Sequence, residues 1–272
     1  MMMKSFVAEK PAKLIKLALS EIDDLTRSAL LTALKKRDVK INGKRVGDDV
    51  TLSVGDRVEV YYIPKENVKF SLVYSDDMIV VVNKKKGVSS ESVFESVKKQ
   101  FKSASFIHRL DTNTDGLMIF GLTAESELEL LKGFKNHTFI KKYRATVVGC
   151  PKKKEDLLTA FLRKDKDAAE VKIFDKQVKD SKPIKTGYKV IETNGETSVL
   201  EVTLFTGKTH QIRAHLAYIG YPIVGDGKYG NFAFNQKCGA KTQMLTAYEL
   251  TLNFDKDSPL YHLSGKKFFI DN

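Results

Sequence analysis

Two segments of the 272-residue chain carry more reactive side chains than folding alone requires. The first is His108-Arg109-Leu110-Asp111-Thr112-Asn113-Thr114-Asp115-Gly116-Leu117; the second is Thr206-Gly207-Lys208-Thr209-His210-Gln211-Ile212-Arg213-Ala214-His215. A carboxylate beside an arginine in a polar loop can serve as a nucleophile or a base. An isolated loop aspartate is as readily a turn or cap residue. The second segment shifts the balance. Its Arg213 falls on an expected helix, with His210, Gln211 and His215 near the same end, a grouping suited to phosphates or base edges.

Metal chemistry fits these residues poorly. Asp111-x-Asn113-x-Asp115-Gly116 matches the first half of a calcium-binding loop. The twelfth position of such a loop is a bidentate glutamate, however, and here it is Leu122; residues 117–120 read as a strand. His210 and His215 lack the spacing of a zinc helix and have no carboxylate or thiol close by in sequence. No metal is expected. There is no dinucleotide fingerprint or phosphate loop, and no cofactor is expected either.

Around these segments the pattern is mixed. Ile79-Val80-Val81-Val82 is a continuous apolar run, expected as a strand covered on both faces. Residues 125–135 have helical periodicity, with Leu128, Leu131 and Phe134 on one stripe. Tyr143-x-Ala145-x-Val147 alternates as a strand. Residues 188–191 and 198–205 flank Asn194-Gly195, a hairpin signal. Before the weakly structured run Ile63-Pro64-Lys65-Glu66-Asn67, helical spacing recurs at Leu14, Leu17 and Ala18 and at Leu30, Leu31 and Leu34. A hairpin around Asn42-Gly43 and a strand over 57–62 follow. The expected fold class is α+β: a two-helix plus hairpin domain at 1–62, a linker at 63–69, and a domain at 70–272 with a mixed, largely antiparallel sheet.

Charge points to the partner. The chain has 46 Lys+Arg against 34 Asp+Glu, a net charge of +12, which favours a polyanion. A membrane is the weaker choice: no apolar run approaches the ~20 residues that span a bilayer, and the basic stretches lack a strongly apolar opposite face. Arg27, Lys35, Lys36, Arg37, Lys40, Lys44 and Arg45 cluster with one acid, Asp38, among them, as phosphate contacts require. The start of the chain has no apolar signal region. Cys150 and Cys238 give no disulfide framework and no zinc spacing, which suits a reducing cytoplasm. Two buried, inert thiols and a monomer are expected.

The blocks are more specific together than singly. His108-Arg109-Leu110-Asp111-x-x-Thr114-x-Gly116-Leu117 resembles the signature of the RluA-type RNA pseudouridine synthases. The resemblance continues in order through Lys142-Tyr143-x-Ala145-x-Val147-x-Gly149 and Thr206-Gly207-Lys208-Thr209-His210-Gln211-Ile212-Arg213-x-His215-Leu216. It ends at Gly220-Tyr221-Pro222-Ile223-x-Gly225-Asp226-x-x-Tyr229-Gly230. Thr26-Arg27-Ser28-x-Leu30, Lys40-x-Asn42-Gly43-Lys44-x-Val46 and Gly55-Asp56-x-Val58 resemble the small RNA-binding domain named after ribosomal protein S-four.

The resemblance implies a cofactor-free isomerase acting on uridine in RNA, ribosomal RNA before transfer RNA. It makes Asp111 the catalytic aspartate, which either attacks the nucleotide covalently or takes a ribose proton to give a glycal. Arg213 is then the partner holding its charge, and Tyr143 stacks on the uracil and removes the carbon-5 proton. The target leaves its stack to reach the site, and Arg109 fills the gap. His108, Thr114, His210 and Gln211 are expected to contact the substrate. The chain departs from the family at Asp115, usually Ser, and at Lys84-Lys85-Lys86-Gly87, usually Lys-Pro. Asp115 would add a second carboxylate to the site if it faced Asp111.

Two other readings use the same residues. A non-catalytic RNA-binding assembly factor would explain the charge but gives no reason for Asp111, Tyr143 and Arg213 to occur together. A nucleoside hydrolase needs two opposed carboxylates, and only Asp115 could be the second.

Overall fold

The structure, a computed structural model, describes residues 1–22, 25–62, 69–165 and 170–270. It divides into two compact units, Met1–Val68 and Lys69–Asn272. The expected linker, apart from Lys69, lies outside the described residues.

In the first unit, β1 (Met2–Val7) and β2 (Ala12–Lys13) precede helices α1 (Leu14–Glu21) and α2 (Arg27–Lys35). The strands β3 (Val39–Ile41), β4 (Lys44–Val46), β5 (Thr51–Leu52) and β6 (Arg57–Tyr62) follow. Asn42 and Gly43, at φ 49° and 80°, make the tight turn of the β3–β4 hairpin. Thr26 caps α2 by accepting the N–H of Ala29. The sheet order β1-β6-β3-β4 includes one strand that the sequence pattern did not reveal. β1 keeps only Phe6 partly covered, so its apolar alternation is weak. Leu30, Ala33 and Leu34 pack the buried face of α2, whereas Leu31, expected there, is exposed.

The second unit runs β7 (Phe70–Ser75), β8 (Ile79–Lys84), α3 (Ser90–Gln100), β9 (Ser105–Phe106), β10 (Asp115–Gly121), α4 (Ala124–Asn136), β11 (Ile140–Val148) and β12 (Glu155–Lys164). It continues through β13 (Val171–Phe174), β14 (Lys182–Thr193), β15 (Thr197–Leu204), α5 (Gln211–Tyr218), α6 (Phe232–Cys238), β16 (Leu245–Thr251) and β17 (Lys267–Phe269). One sheet joins these strands in the order β13-β12-β14-β15-β11-β16-β10-β8-β7, with β17 on β16 and β9 on β10. Only β10–β16 is a parallel pairing among the described strands. The architecture is α+β with a largely antiparallel sheet.

Strand alternation explains the apolar run at 79–82. Val80, Val82, Met118 and Phe120 enter a core shared with α3 and α5, while Ile79, Val81, Leu117 and Ile119 enter another beneath α4. Gly116, at φ 117°, would carry a Cβ only 2.2 Å from the Ala247 carbonyl oxygen. A glycine there lets β10 run against β16 directly after the Asp111 loop.

Two expectations are corrected. On α4 the buried face is Ser126, Leu130 and Gly133, and Leu128 and Leu131 are 66% and 40% exposed. The Thr123–Ser126 capping box and the close seat of Gly133 on the Phe139 ring set the helix's rotation. Both cysteines are exposed. Cys150 lies just beyond β11 with its sulfur 2.9 Å from Thr193 Oγ1, and Cys238 ends α6.

Candidate active site

Asp111 sits in the loop between β9 and β10, residues 107–114, which is fastened on both sides. The Ser90 hydroxyl, buried at the start of α3, donates to the Leu110 carbonyl at 2.8 Å and accepts the Leu110 N–H at 2.9 Å. The Thr112 carbonyl accepts from Lys84 Nζ at 3.0 Å and from the Gly87 N–H at 2.9 Å. Thr114 Oγ1 accepts from the Gln243 side-chain amide at 2.6 Å. Asp115 accepts from the Thr246 hydroxyl at 2.7 Å, and its carboxylate lies 3.6 Å from Lys86 Nζ. Asp115 and Gly116 open β10, so they do not continue a calcium loop. Lys84 is fully buried and also donates to the carbonyls of Lys85 and Val88. Burial pushes its ammonium down to about 8, against the opposing pull of Asp115 and Asp111.

Arg213, on the first turn of α5, reaches that loop. Its Nη1 donates to Asp111 Oδ2 at 2.8 Å. Its other two nitrogens grip Asp226, Nε to Oδ2 at 2.6 Å and Nη2 to Oδ1 at 2.9 Å. Burial alone would lower the guanidinium pKa, but the bonds from Asp226 and then Asp111 raise it further. Asp226 is buried too; desolvation acts to raise its carboxyl, but the Arg213 bond and the N–H groups of Tyr229 and Lys228 hold it below the usual range. The ion triad joins residues 102 and 13 positions apart in sequence.

His210 occupies the N-cap of α5 in a left-handed conformation, φ 54°, unusual for a residue with a side chain. Its Nε2 lies 3.8 Å from Asp111 Oδ2 and its Nδ1 3.0 Å from the Tyr229 hydroxyl. That hydroxyl accepts the Val171 N–H, which leaves its own proton free for Nδ1. Burial lowers the imidazole pKa more than Asp111 raises it.

Tyr143 lies on β11, opposite a register shift with β16 between its pairing and that of Lys142. Such bulges re-aim side chains beside functional sites. Burial, and then the charge of Asp111, push its phenol up. Asp111, Tyr143, His210 and Arg213 line a cavity of about 320 Å³, with Leu110, Leu204, Ile212 and Leu245 as apolar wall. Such a mixed cavity can enclose a flat, polar-edged ring.

The residues expected at the site divide into two groups. Asp111, Tyr143, Arg213 and His210 converge. His108 and Arg109 line the same cavity, although His108 Nε2 accepts the Ile119 N–H at 3.1 Å and its ring stacks on Phe134. Burial drops its pKa to about 3, so it is neutral. Arg109 is exposed and 3.3 Å from Glu91.

Gln211 and Thr114 line the cavity as well, and both also bond within the protein. The Gln211 oxygen accepts from the Thr206 hydroxyl and the Lys208 N–H, and its nitrogen donates to the Lys185 carbonyl and the Thr186 hydroxyl. Its amide shapes the loop that presents His210. The Thr114 hydroxyl accepts from Gln243 and keeps its own proton to donate.

Asp226 and Lys84 are the site members whose roles sequence reasoning missed. Asp226 stood inside a motif block, but nothing marked it as the arginine's anchor. Among the described residues, no group of three His, Cys, Asp or Glu side chains is arranged to hold a metal ion. In the first unit, Arg27, Lys35, Lys36, Arg37, Lys44 and Arg45 are exposed. Lys40 lies 5.3 Å over the Tyr61 ring.

The family model described as RNA pseudouridylate synthase matches residues 78–218. An RNA pseudouridine synthase of Chlorobaculum parvum is 26% identical over 249 residues, which cover 82% of this chain and 76% of the relative. The ribosomal large subunit pseudouridine synthase C of Buchnera aphidicola is 25% identical over 281 residues, 92% of this chain and 86% of the relative. Among solved structures, human RNA pseudouridylate synthase domain containing 1 shares the fold, with a TM-score of 0.66 at 23% identity. That match covers 77% of this chain and 86% of the human one.

Proposed function

The chain belongs to the RNA pseudouridylate synthase family, and from that premise we propose that it isomerises a uridine of large-subunit ribosomal RNA with Asp111 as the catalytic carboxylate. The observation that carries this reading is the Arg213 fork, which binds Asp226 with two nitrogens and turns the third to Asp111 inside the cavity. A carboxylate so held is aimed and charge-compensated before substrate arrives.

The reaction moves uracil from one ribose bond to another. The N1–C1′ bond breaks, the ring turns, C5–C1′ forms, and the proton on C5 is finally lost. Asp111 begins this either by bonding to the nucleotide or by taking a ribose proton, and either act removes its negative charge. Tyr143 then acts in a changed field. Burial still holds its phenol up, but the second cause, the Asp111 charge, is gone, so the hydroxyl gives up its own proton more readily. Its oxygen, as phenolate, takes the C5 proton while N1 of the turned ring gains one. His210, with Nε2 3.8 Å from Asp111 Oδ2, contacts the ribose or its phosphate. Arg109, exposed at the mouth, takes the space left by the flipped nucleotide.

The ribosomal RNA assignment draws on the relatives' names, several of which specify the large ribosomal subunit, and on the exposed cations of the first unit, which suit a large folded RNA. The test is to incubate the purified protein with unmodified large-subunit ribosomal RNA and with transfer RNA transcripts, then map pseudouridine by chemical labelling. Discrete sites in the ribosomal RNA support the reading, and modification confined to transfer RNA overturns it.

A further inference from the structure

One wall of the cavity takes no part in this chemistry. Lys141 and Tyr143 stand two residues apart on β11, so alternation turns both side chains to one face, and both line the cavity. Lys141 is only 9% exposed, and its Nζ lies 5.5 Å over the Phe134 ring. Buried ammonium groups are normally paired with carboxylates or carbonyls. Lys84 meets three carbonyls, and the neighbouring Lys142 lies 3.3 and 3.7 Å from Glu201 and Glu249. Among the described residues no hydrogen bond or carboxylate meets Lys141 Nζ. Nor is that nitrogen sealed away, since no buried side-chain nitrogen or oxygen lacks a partner. It opens on the cavity.

Two more basic groups face the same rim from other elements. His137 ends α4 in a left-handed conformation, and Lys208 comes from the segment between β15 and α5. Both line the cavity, and neither has an ion-pair partner among the described residues. The three lie close enough that, after burial, Lys141 and then Lys208 lower the His137 pKa. Gathering like charges without an acid between them is unfavourable until an anion joins them.

We propose that Lys141, Lys208 and His137 form an anion subsite that holds a backbone phosphodiester beside the uridine drawn into the cavity. The inference rests on the RNA-modifying reading above. It adds a fixed point of grip one nucleotide or less from the reacting base, where phosphate contacts set register without reading sequence.

The test uses the full-length protein and a stem-loop RNA around a uridine whose conversion by that protein has been mapped. The RNA is made with native phosphates, or with one uncharged methylphosphonate on the 5′ or the 3′ side of that uridine. Native protein should bind one of the two altered RNAs about tenfold more weakly. Lys141→Met and Lys208→Met should each weaken binding of the native RNA to a similar degree and lower the salt slope by about one. Neither variant should lose much more on the altered RNA, and Lys141→Arg should restore binding. Lys208 is half-exposed, so its variant keeps the test decisive if Lys141→Met fails to fold. Penalties that multiply between variant and methylphosphonate overturn the subsite, as does equal binding of all three RNAs by native protein. If no RNA is converted at all, the functional reading fails and the subsite with it; conversion with multiplying penalties sinks the subsite alone.

Discussion

Asp226 takes two of the three nitrogens of Arg213, at 2.6 and 2.9 Å, and thereby directs the third to Asp111. The arginine could otherwise rotate about its long stem, and a charge on a mobile stem holds no geometry. Asp226→Asn keeps the shape but halves the grip, so kcat should fall at least tenfold with RNA affinity nearly unchanged. Asp226→Ala leaves the buried guanidinium with Asp111 as its one remaining carboxylate and should cost up to about 3 kcal/mol of stability, read from denaturant unfolding. The carboxyl's folded pKa is depressed, so its stabilisation is present above the unfolded value of about 3.9. It is lost as pH falls below that towards the folded value. The stability difference between native protein and Asp226→Asn should therefore shrink below about pH 4.

Lys84 is a second internal anchor, holding the Thr112 carbonyl of the Asp111 loop. Its ammonium titrates at about 8 in the fold against 10.5 in the open chain. The unfolded chain thus binds more protons between those values, and this group's contribution to stability rises as pH rises from 8 to 10.5. The advantage of native protein over Lys84→Met should grow across that window by up to about 3 kcal/mol. Unfolding at pH 7.5 and at pH 10.5 checks it; a constant difference would show that Lys84 does not titrate in the fold. The same variant should lower kcat, because the loop carrying Asp111 loses one of its fastenings.

Much of this arrangement was legible in the sequence, and the reasons for the remainder are local. Asp111, Tyr143 and Arg213 stand in motif blocks whose polar density exceeds what turns and caps need, and the blocks occur in one order. The hairpin at Asn42-Gly43 announces itself because two consecutive positive φ angles favour those residues. Lys84 was hidden because a lysine at the end of an apolar strand reads as its solvated exit, and only the fold brings three carbonyls to it. The face of α4 was misread because leucines outweigh Ser126 and Gly133 in any periodicity, although a small residue is what the Phe139 ring requires. That the Gln211 amide is fully bonded within the protein could not be read from the sequence, because two of its partners, Lys185 and Thr186, lie far away along the chain.

The exposed cations of the first unit should act through RNA phosphates alone. Replacing Lys35, Lys36, Lys44 and Arg45 together with Gln should weaken binding to long structured RNA and flatten the salt dependence, by about one in slope for each phosphate no longer neutralised. Turnover at saturating RNA should stay within twofold, and thermal stability should barely move. An unchanged slope would mean that this unit does not grip RNA.

Tyr143→Phe keeps the ring in the cavity and deletes the hydroxyl. Substrate should still bind with native affinity, while the last step, loss of the C5 proton, slows by about 10²-fold or more. Single-turnover analysis of the RNA should show the rearranged base accumulating before release of that proton, seen as slow tritium release from 5-tritiated uridine. Native tritium release by the variant would leave Tyr143 a stacking role only.

The most direct test of the account is pseudouridine formation by Asp111→Asn on an RNA that the native protein converts. Asparagine preserves the size of the side chain and can still accept a hydrogen bond from Arg213, but it carries no charge. Asp111→Asn should bind the RNA within about threefold of native and yield no pseudouridine above background by chromatography of the digested RNA. A variant that binds normally and retains substantial turnover would contradict the assignment of Asp111 as the catalytic carboxylate.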